Sequence, residues 1–159
     1  MKRLLAIFLF LINSSVIADI TGLASVIDGD TIDISGVRIR LNGIDTPEKG
    51  QTCRKKGIIW HCGAEATKAM RHLTNGHVVS CIGNTKDRYS RLIAECFVGT
   101  LNLNASMVKF GLALAYRQYS SEYVAQETFA KKTKKGLWSG EFVAPWDWRQ
   151  GKRLPKKLN

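Results

Sequence analysis

The stretch IDGDTIDISGVRIRLNGIDTPE, residues 27–48, decides the fold of this chain because it combines strand patterns with turn signals. Thr31 to Ile34 is rich in β-branched residues, Ser35-Gly36 predicts a turn, and Val37 to Ile44 alternates apolar and polar residues with the period of a strand. The apolar face of this last strand is formed by Val37, Ile39 and Leu41. Arg40 therefore projects from the opposite face, in a direction that the strand fixes.

Outward from this stretch, the sequence predicts further strands and three helices. The other strands are predicted at Ile20 to Ile27, His77 to Ile82 and Arg91 to Val98. The helices are predicted at Ala64 to Asn75, from a cap at Asn104 to Phe110, and from Ser120 or Ser121 to the lysines before Gly136. Strand alternation and helix capping support these assignments. About five strands with three helices predict an α+β chain, a small barrel with helices packed on it.

The first residues have the pattern of an export signal. Lys2 and Arg3 precede an apolar run from Leu4 to Ile12, and Val16-Ile17-Ala18 supplies the small-residue pattern of a cleavage site. The alternative is a membrane anchor, but a bilayer needs about 20 apolar residues and this run is shorter. We therefore predict a signal peptide over residues 1–18, a mature chain that is secreted or periplasmic, and no membrane attachment after cleavage.

The charge of the chain is strongly positive. The formal net charge is +11, and it is +9 without Lys2 and Arg3. Such an excess attracts polyanions, which include nucleic acid, acidic polysaccharide and anionic lipid. The same charge also serves simply to keep a protein dispersed. Net charge alone therefore does not identify which polyanion the chain binds.

Four cysteines, an even number, suggest disulfides in an exported chain, and they allow three pairings. We favour Cys53–Cys62, which closes the long connection after Asp45, and Cys81–Cys96. The second pair is favoured because a hairpin register with Val79 opposite Val98 also sets Cys81 opposite Cys96, at about 4.5–5.5 Å. Zinc is a poor alternative, since there is no Cys-x-x-Cys and the histidines lack ligand spacing. Disulfides predict an oxidising compartment.

Three segments carry residues suited to phosphodiester cleavage. They are Asp28-Gly29-Asp30-Thr31, the run from Arg40 to Glu48 that contains Asp45-Thr46-Pro47, and Asp87-Arg88-Tyr89-Ser90-Arg91. A diester is anionic, so attack by hydroxide requires that a metal ion and guanidinium groups screen its charge. Carboxylate and carbonyl oxygens are hard ligands that suit calcium or magnesium. Each segment alone is equally typical of an ordinary turn; their occurrence together favours chemistry.

In this order and spacing the three segments resemble the staphylococcal nuclease family. The resemblance covers about Ile27 to Trp138 and includes Asn104, Gly111-Leu112-Ala113 and Gly136-Leu137-Trp138. It implies a five-stranded OB-fold β-barrel with three packed α-helices over residues 19–143. Residues 144–159 then form a basic tail with tryptophans. These tryptophans either stack on bases or pack against the barrel, and we favour packing.

The resemblance also implies a cofactor and a catalytic carboxylate. Asp30 and Asp45 match carboxylates that bind Ca²⁺, and the main-chain carbonyl of Thr46 matches a third protein ligand. Glu48 matches the carboxylate that orients or deprotonates the attacking water. The implied reaction is endonucleolytic hydrolysis of DNA and RNA that leaves 3′-phosphate ends.

The remaining implied residues bind the substrate. Arg40 and Arg91 match two guanidinium groups that hold the scissile phosphate and stabilise the charged transition state. Arg88 and Tyr89 match positions that contact a terminal phosphate, and Tyr116 matches an aromatic ring against which a base packs. No stable protein partner is implied, so we expect a monomer.

Rival functions remain open at this point. An OB-fold that has lost catalysis can persist as a nucleic-acid or polyanion-binding module, but here the acids and arginines are intact. A factor acting on acidic polysaccharide fits the charge, yet no paired-carboxylate pattern of a glycosidase is present. A serine or cysteine hydrolase lacks a Ser/His/Asp set and a free thiol.

Overall fold

The computed structural model describes residues 18–155 of the chain. The strands are β1 (Ala18–Val26), β2 (Thr31–Ile34), β3 (Val37–Leu41), β4 (Ile44–Asp45), β5 (Cys53–Lys55), β6 (Ile58–Trp60), β7 (Val78–Lys86), β8 (Leu92–Val98), β9 (Leu101–Asn102) and β10 (Leu114–Ala115). The helices are α1 (Cys62–Thr74), α2 (Leu103–Lys109), α3 (Val124–Lys132) and α4 (Pro145–Arg149), with a 3₁₀ turn at Gly136–Ser139. The predicted signal peptide lies, apart from Ala18, outside the described residues.

Five strands close into a mixed barrel. They follow the order β3-β2-β1-β7-β8 with antiparallel neighbours, and β3 pairs in parallel with β8 to close the ring. The turn predicted at Ser35-Gly36 joins β2 to β3, and both of its residues have positive φ, as a tight hairpin turn requires. The predicted α+β OB-fold barrel is confirmed. Three helices were predicted, and the short α4 is an addition.

The barrel interior is filled by the faces that the strand alternation predicted. Ile32 and Ile34 of β2 and Ile39 and Leu41 of β3 are fully buried, whereas Arg38 is exposed. Burial of each such side chain stabilises the fold by about 1.5–3 kcal/mol. Because β3 is held on both sides, by β2 and β8, its alternate residues have fixed directions. Arg40 points out of the core toward the site described below.

The β7–β8 hairpin has the predicted register. Val79 pairs with Val98 and Cys81 with Cys96, and the structure contains both expected disulfides, Cys53–Cys62 and Cys81–Cys96. β7 extends beyond its predicted end at Ile82, because pairing with β8 resumes after an irregularity between Ile82 and Thr85 and continues as far as Lys86 and Leu92.

Two predicted helix starts were wrong. The cap of α2 is Asn102, whose side chain accepts a hydrogen bond from the Ala105 N–H, 2.8 Å away. Asn104 is instead fully buried and ties helix to barrel: its Oδ1 accepts from the Cys96 N–H and its Nδ2 donates to the Asn42 carbonyl. The last helix begins at Val124, and not at Ser120 or Ser121.

The C-terminal tail contains the short helix α4 and packs on the body of the protein. Its residues pack on a second apolar cluster that is built around the Cys53–Cys62 disulfide with Leu114 and Leu137. Trp138, Phe142, Ala144 and Trp146 contact this cluster. Trp146 was predicted to pack against the barrel; it packs instead on this second cluster and on Tyr116. In residues 18–155 no helix has the length and apolarity to cross a membrane.

Candidate active site

The turn before β2, strand β3 and strand β4 meet at one end of the barrel. Thr31 pairs with Arg40 across β2 and β3, which sets Asp30 beside Arg40. The Arg40 guanidinium bridges two carboxylates: its Nη1 is 3.1 Å from Asp30 Oδ1, and its Nη2 is 3.0 Å from Asp45 Oδ1. The strand alternation that aimed Arg40 away from the core thus brings it between two acids.

Asp30 and Asp45 are buried carboxylates that each accept hydrogen bonds from several donors. Asp30 Oδ2 accepts hydrogen bonds from the Thr46 N–H and from the Thr46 hydroxyl, both at 2.8 Å. Asp45 is 1% exposed. Burial raises the pKa of Asp45, and the neighbouring charge of Asp30 raises it further, although Arg149 and Arg40 oppose both effects. Burial therefore disfavours the ionised form of Asp45, and the neighbouring arginines compensate for part of that cost.

A third acid, Asp28, completes this cluster. Burial raises its pKa to about 6, and the charge of Asp30 adds to the shift. Mutual repulsion among buried carboxylates is relieved by a cation, and their oxygens are the ligands that calcium and magnesium prefer. Between residues 18 and 155 no group of three or more His, Cys, Asp or Glu side chains is arranged to hold a metal by itself. A dication here would therefore also need main-chain or water oxygens. The carboxylate oxygens are chemically suited to it, and it would share those of Asp45 with Arg40 and Arg149, which donate hydrogen bonds to them.

The loop between β7 and β8 supplies a second cationic side to the cleft. Asp87 folds this loop, since its Oδ1 accepts from the N–H groups of Tyr89 and Arg91, and its Oδ2 accepts from Arg91 Nε at 2.7 Å. Burial would raise the pKa of Asp87, but the Arg91 hydrogen bonds outweigh it and hold that pKa below its ordinary value. Arg91 Nη1 lies 3.5 Å from the Thr31 hydroxyl, and the Arg88 guanidinium lies 4.9 Å from the centre of the exposed Tyr89 ring.

Tyr116 enters the cleft from β10. This strand pairs with β4, and the Tyr116 N–H donates to the Gly43 carbonyl, which places the ring beside the Asp45 strand. Trp146 of the tail stacks on Tyr116 with ring centres 5.4 Å apart and planes within 8°. Tyr119 contacts the Tyr116 ring edge-on at 4.8 Å. Tyr116 and Tyr119 thus line this side of the cleft, and Trp146 supports the Tyr116 ring from behind.

Glu48 is positioned by its backbone on one side and by a tail residue on the other. Its N–H donates to Gln51 Oε1, and its carbonyl lies against Gly63 of α1. Its carboxylate is 43% exposed and is 2.7 Å from Nη1 of Arg149. The same Arg149 guanidinium donates to both Asp45 oxygens, at 3.1 and 2.8 Å.

All nine residues predicted to bind metal or substrate or to act in catalysis line one cleft of about 610 Å³. Sequence reasoning missed Arg149, Tyr119 and Asp28 as members of this cleft. In the sequence, Arg149 and Trp146 lie in the basic tail over residues 144–159, and Asp28 lies in the Asp-Gly-Asp turn. Nothing in local sequence links residue 149 to residue 45.

The chain is similar to known nucleases. A family model described as "Staphylococcal nuclease homologue" matches residues 38–140. The chain is 35% identical to a protein named "Uncharacterized endonuclease" from Escherichia coli O157:H7, over 96% of this chain and 100% of that protein. It is 32% identical to "Micrococcal nuclease" from Shigella flexneri, over 86% of this chain and 84% of that protein. It is also 34% identical to "Succinoglycan biosynthesis protein ExoI" from Rhizobium meliloti (strain 1021), over 77% of this chain and 66% of that protein. With the barrel, the cleft and this family match in agreement, the chain belongs to the family of staphylococcal nuclease homologues.

Proposed function

We propose that this chain is a calcium-dependent endonuclease that hydrolyses phosphodiester bonds of DNA and RNA and leaves 3′-phosphate ends. The observation that carries the proposal is the meeting of Asp30, Arg40, Asp45, Glu48 and Arg91 around one cleft. Family membership supports a nuclease. Calcium, the two substrates and the end chemistry are the parts that need testing.

Arg40 and Arg91 supply positive charge where the diester gains negative charge in the transition state. A guanidinium has five N–H donors, and Arg40 uses Nη1 and Nη2 for Asp30, Asp45 and the Leu41 carbonyl. Its remaining donors are free to bind a phosphate oxygen. Because the buried acids hold the guanidinium in place before substrate arrives, little reorganisation accompanies the reaction, and such preorganised donors stabilise the transition state more than the substrate.

Glu48 is the candidate for orienting and deprotonating the attacking water. Its carboxylate is half-exposed, so water reaches it, while its backbone is held by Gln51 and by the start of α1. General-base catalysis of this kind contributes about 10²–10⁴ in rate. Asp30, Asp45 and the Thr46 carbonyl would hold the calcium ion, which supplies charge screening and polarises a phosphate oxygen.

Three residues would contact parts of the substrate other than the scissile phosphate: Arg88, Tyr89 and Tyr116. Arg88 and Tyr89 line the cleft and are both exposed, so a terminal phosphate would reach them from solvent. A base that packs on Tyr116 would meet the Tyr116–Trp146 pair rather than a lone ring. The two disulfides fit an oxidising location, so we place the mature chain outside the cytoplasm, secreted or periplasmic, as a monomer.

The test uses the purified chain on plasmid DNA and on RNA, with calcium and then with chelator, followed by analysis of the product ends. We expect calcium-dependent cleavage of both polymers with 3′-phosphate ends. Glu48→Ala should retain its circular dichroism spectrum and lose nearly all turnover. Saturable binding with no cleavage under any metal would instead identify a non-catalytic module and refute the proposal.

A further inference from the structure

The C-terminal segment is anchored on both sides of residue 149. Arg54 and Glu141 exchange backbone hydrogen bonds at 2.8 and 2.7 Å, and their side chains form an ion pair at 2.9 Å. The Gln51 amide donates to the Val143 carbonyl, and the Arg54 guanidinium donates to the Pro155 carbonyl, both at 2.7 Å. The backbone that carries α4 is therefore held to the body of the protein before and after this helix.

Within this anchored segment, α4 places a cationic side chain in the cleft and an aromatic side chain on a cleft residue. Trp146 stacks on Tyr116, which fixes the rotation of the helix. Arg149, one helical turn later, makes three hydrogen bonds to Asp45 and Glu48. Hydrogen bonds to Asp45 raise the pKa of the guanidinium, so it stays charged. Arg149 lies outside the residues that the family model matches.

We propose that Arg149 is a third arginine of the active site, a positioning residue that is anchored on Asp45 and holds the Glu48 carboxylate for reaction. The role in catalysis rests on the proposed nuclease function. In the described part of the chain, the Glu48 carboxylate has no other hydrogen-bond or ion-pair partner. Asp45 is buried and also pairs with Arg40, and its two hydrogen bonds from Arg149 hold the guanidinium where the third bond reaches Glu48.

The geometry supports a role for Arg149 in positioning Glu48, rather than a role for the tail in blocking the cleft and leaving it when substrate binds. A plug would require a tail that can leave, whereas this segment is tied by backbone pairing, an ion pair and ring stacking. Without Arg149, the half-exposed Glu48 side chain would sample several rotamers, and only some of them face the attacking water. Loss of a group that orients a catalytic side chain typically costs about 10–100-fold in activity.

The test is a double-mutant cycle between Arg149→Gln and Glu48→Gln, measured on a fluorogenic oligonucleotide with calcium. We expect Arg149→Gln to lower kcat by about 10–100-fold with KM nearly unchanged. In the Glu48→Gln background, the same change should lower the rate less than about threefold, because residues that act as a unit are not additive. An equal loss in both backgrounds, or wild-type kcat in the single variant, would overturn the role.

Arg153→Gln is the matched control. Arg153 belongs to the same segment and lies over the Trp148 ring at 3.7 Å, without contact to the cleft acids. It should keep wild-type kcat, so a loss equal to that of Arg149→Gln would mean that tail charge alone matters and would overturn the proposal.

A readout without turnover separates this inference from the proposed function. In ¹⁵N-edited NMR of arginine side chains, the Arg149 guanidinium should give slowly exchanging N–H signals that broaden in Glu48→Gln. If the wild-type chain cleaves nucleic acid and the signals are absent, the positioning role alone fails. If the signals are present and the wild-type chain cleaves nothing, the nuclease proposal fails and the catalytic role of Arg149 falls with it.

Discussion

Gly63, the second residue of α1, is where a single methyl group should disable the site from outside the cleft. A Cβ built on Gly63 would lie 1.7 Å from the Glu48 carbonyl oxygen and 2.6 Å from its carbon. Side-chain carbons essentially never approach another heavy atom closer than 3.0 Å. Since both partners are backbone, no rotamer change relieves the clash, and Gly63→Ala must move Glu48 or the start of the helix.

The size of the effect follows from the distance that must be gained. The Glu48 backbone has to move by roughly 1 Å or more, and a misplacement of about 1 Å can cost about 10²-fold in rate. Overpacking of this kind destabilises a fold by about 1–3 kcal/mol. We therefore expect Gly63→Ala to lower kcat about a hundredfold, with KM little changed, and to lower Tm by about 3–10 °C.

The assay compares Gly63→Ala with Gly50→Ala by steady-state cleavage of a fluorogenic oligonucleotide and by thermal unfolding. Gly50 lies in the same connection, but a Cβ there meets nothing within 4 Å. Gly50→Ala should therefore behave like the wild type. Wild-type kcat in a folded Gly63→Ala variant, or an equal loss in Gly50→Ala, would refute the idea that the backbone contact sets the position of Glu48.

Three further predictions follow from the site. Arg40→Ala should lower kcat by about 10²–10³-fold and should retain the circular dichroism spectrum of the wild type. Wild-type turnover in this variant would show that Arg40 has no catalytic role. Asp87→Asn should release Arg91 and cost about 1 kcal/mol in urea unfolding at pH 7. Because the folded-state pKa of Asp87 lies below its unfolded value, this difference should start to shrink below about pH 3.9 and vanish as the pH falls through the folded-state pKa; a constant difference would refute the pairing. Replacing Cys53 and Cys62 together by serine should lower the free energy of unfolding by about 2–3 kcal/mol and should also lower kcat, because the tail packs on this disulfide. Calorimetry and kinetics test the two effects. An unchanged kcat would show that the disulfide does not influence the site.

The barrel could be predicted because its strands are indicated by patterns of neighbouring residues, and more than one such pattern supports the same assignment. Alternation in Val37 to Leu41 and β-branched residues in Thr31 to Ile34 each indicate a strand with one buried face. A one-residue slip would bury Arg38 and Arg40 and expose Ile39, so the register is strongly determined. For the same reason the Cys81–Cys96 pairing followed from the register of β7 and β8.

The helix starts were harder to predict because a cap and a buried anchor use the same residue type. Asn102 and Asn104 stand two residues apart, and either could accept a hydrogen bond from a free N–H at a helix start. The tertiary structure decides between them, since Asn104 faces the barrel and satisfies Cys96 and Asn42 backbone groups there. Local sequence contains no information about that partner.

The sequence by itself indicated the strands of the barrel and favoured both disulfide pairings, because strand alternation acts over a few residues, and its resemblance to the nuclease family implied nine residues that line the cleft. The tertiary structure alone decided that Arg149 reaches Asp45 and Glu48, and that Trp146 covers Tyr116. The two Arg149 contacts join residues 104 and 101 positions apart, and all three contacts depend on a tail that packs on the cluster around the Cys53–Cys62 disulfide. Packing of that kind depends on the shape of the whole surface, which no local pattern encodes.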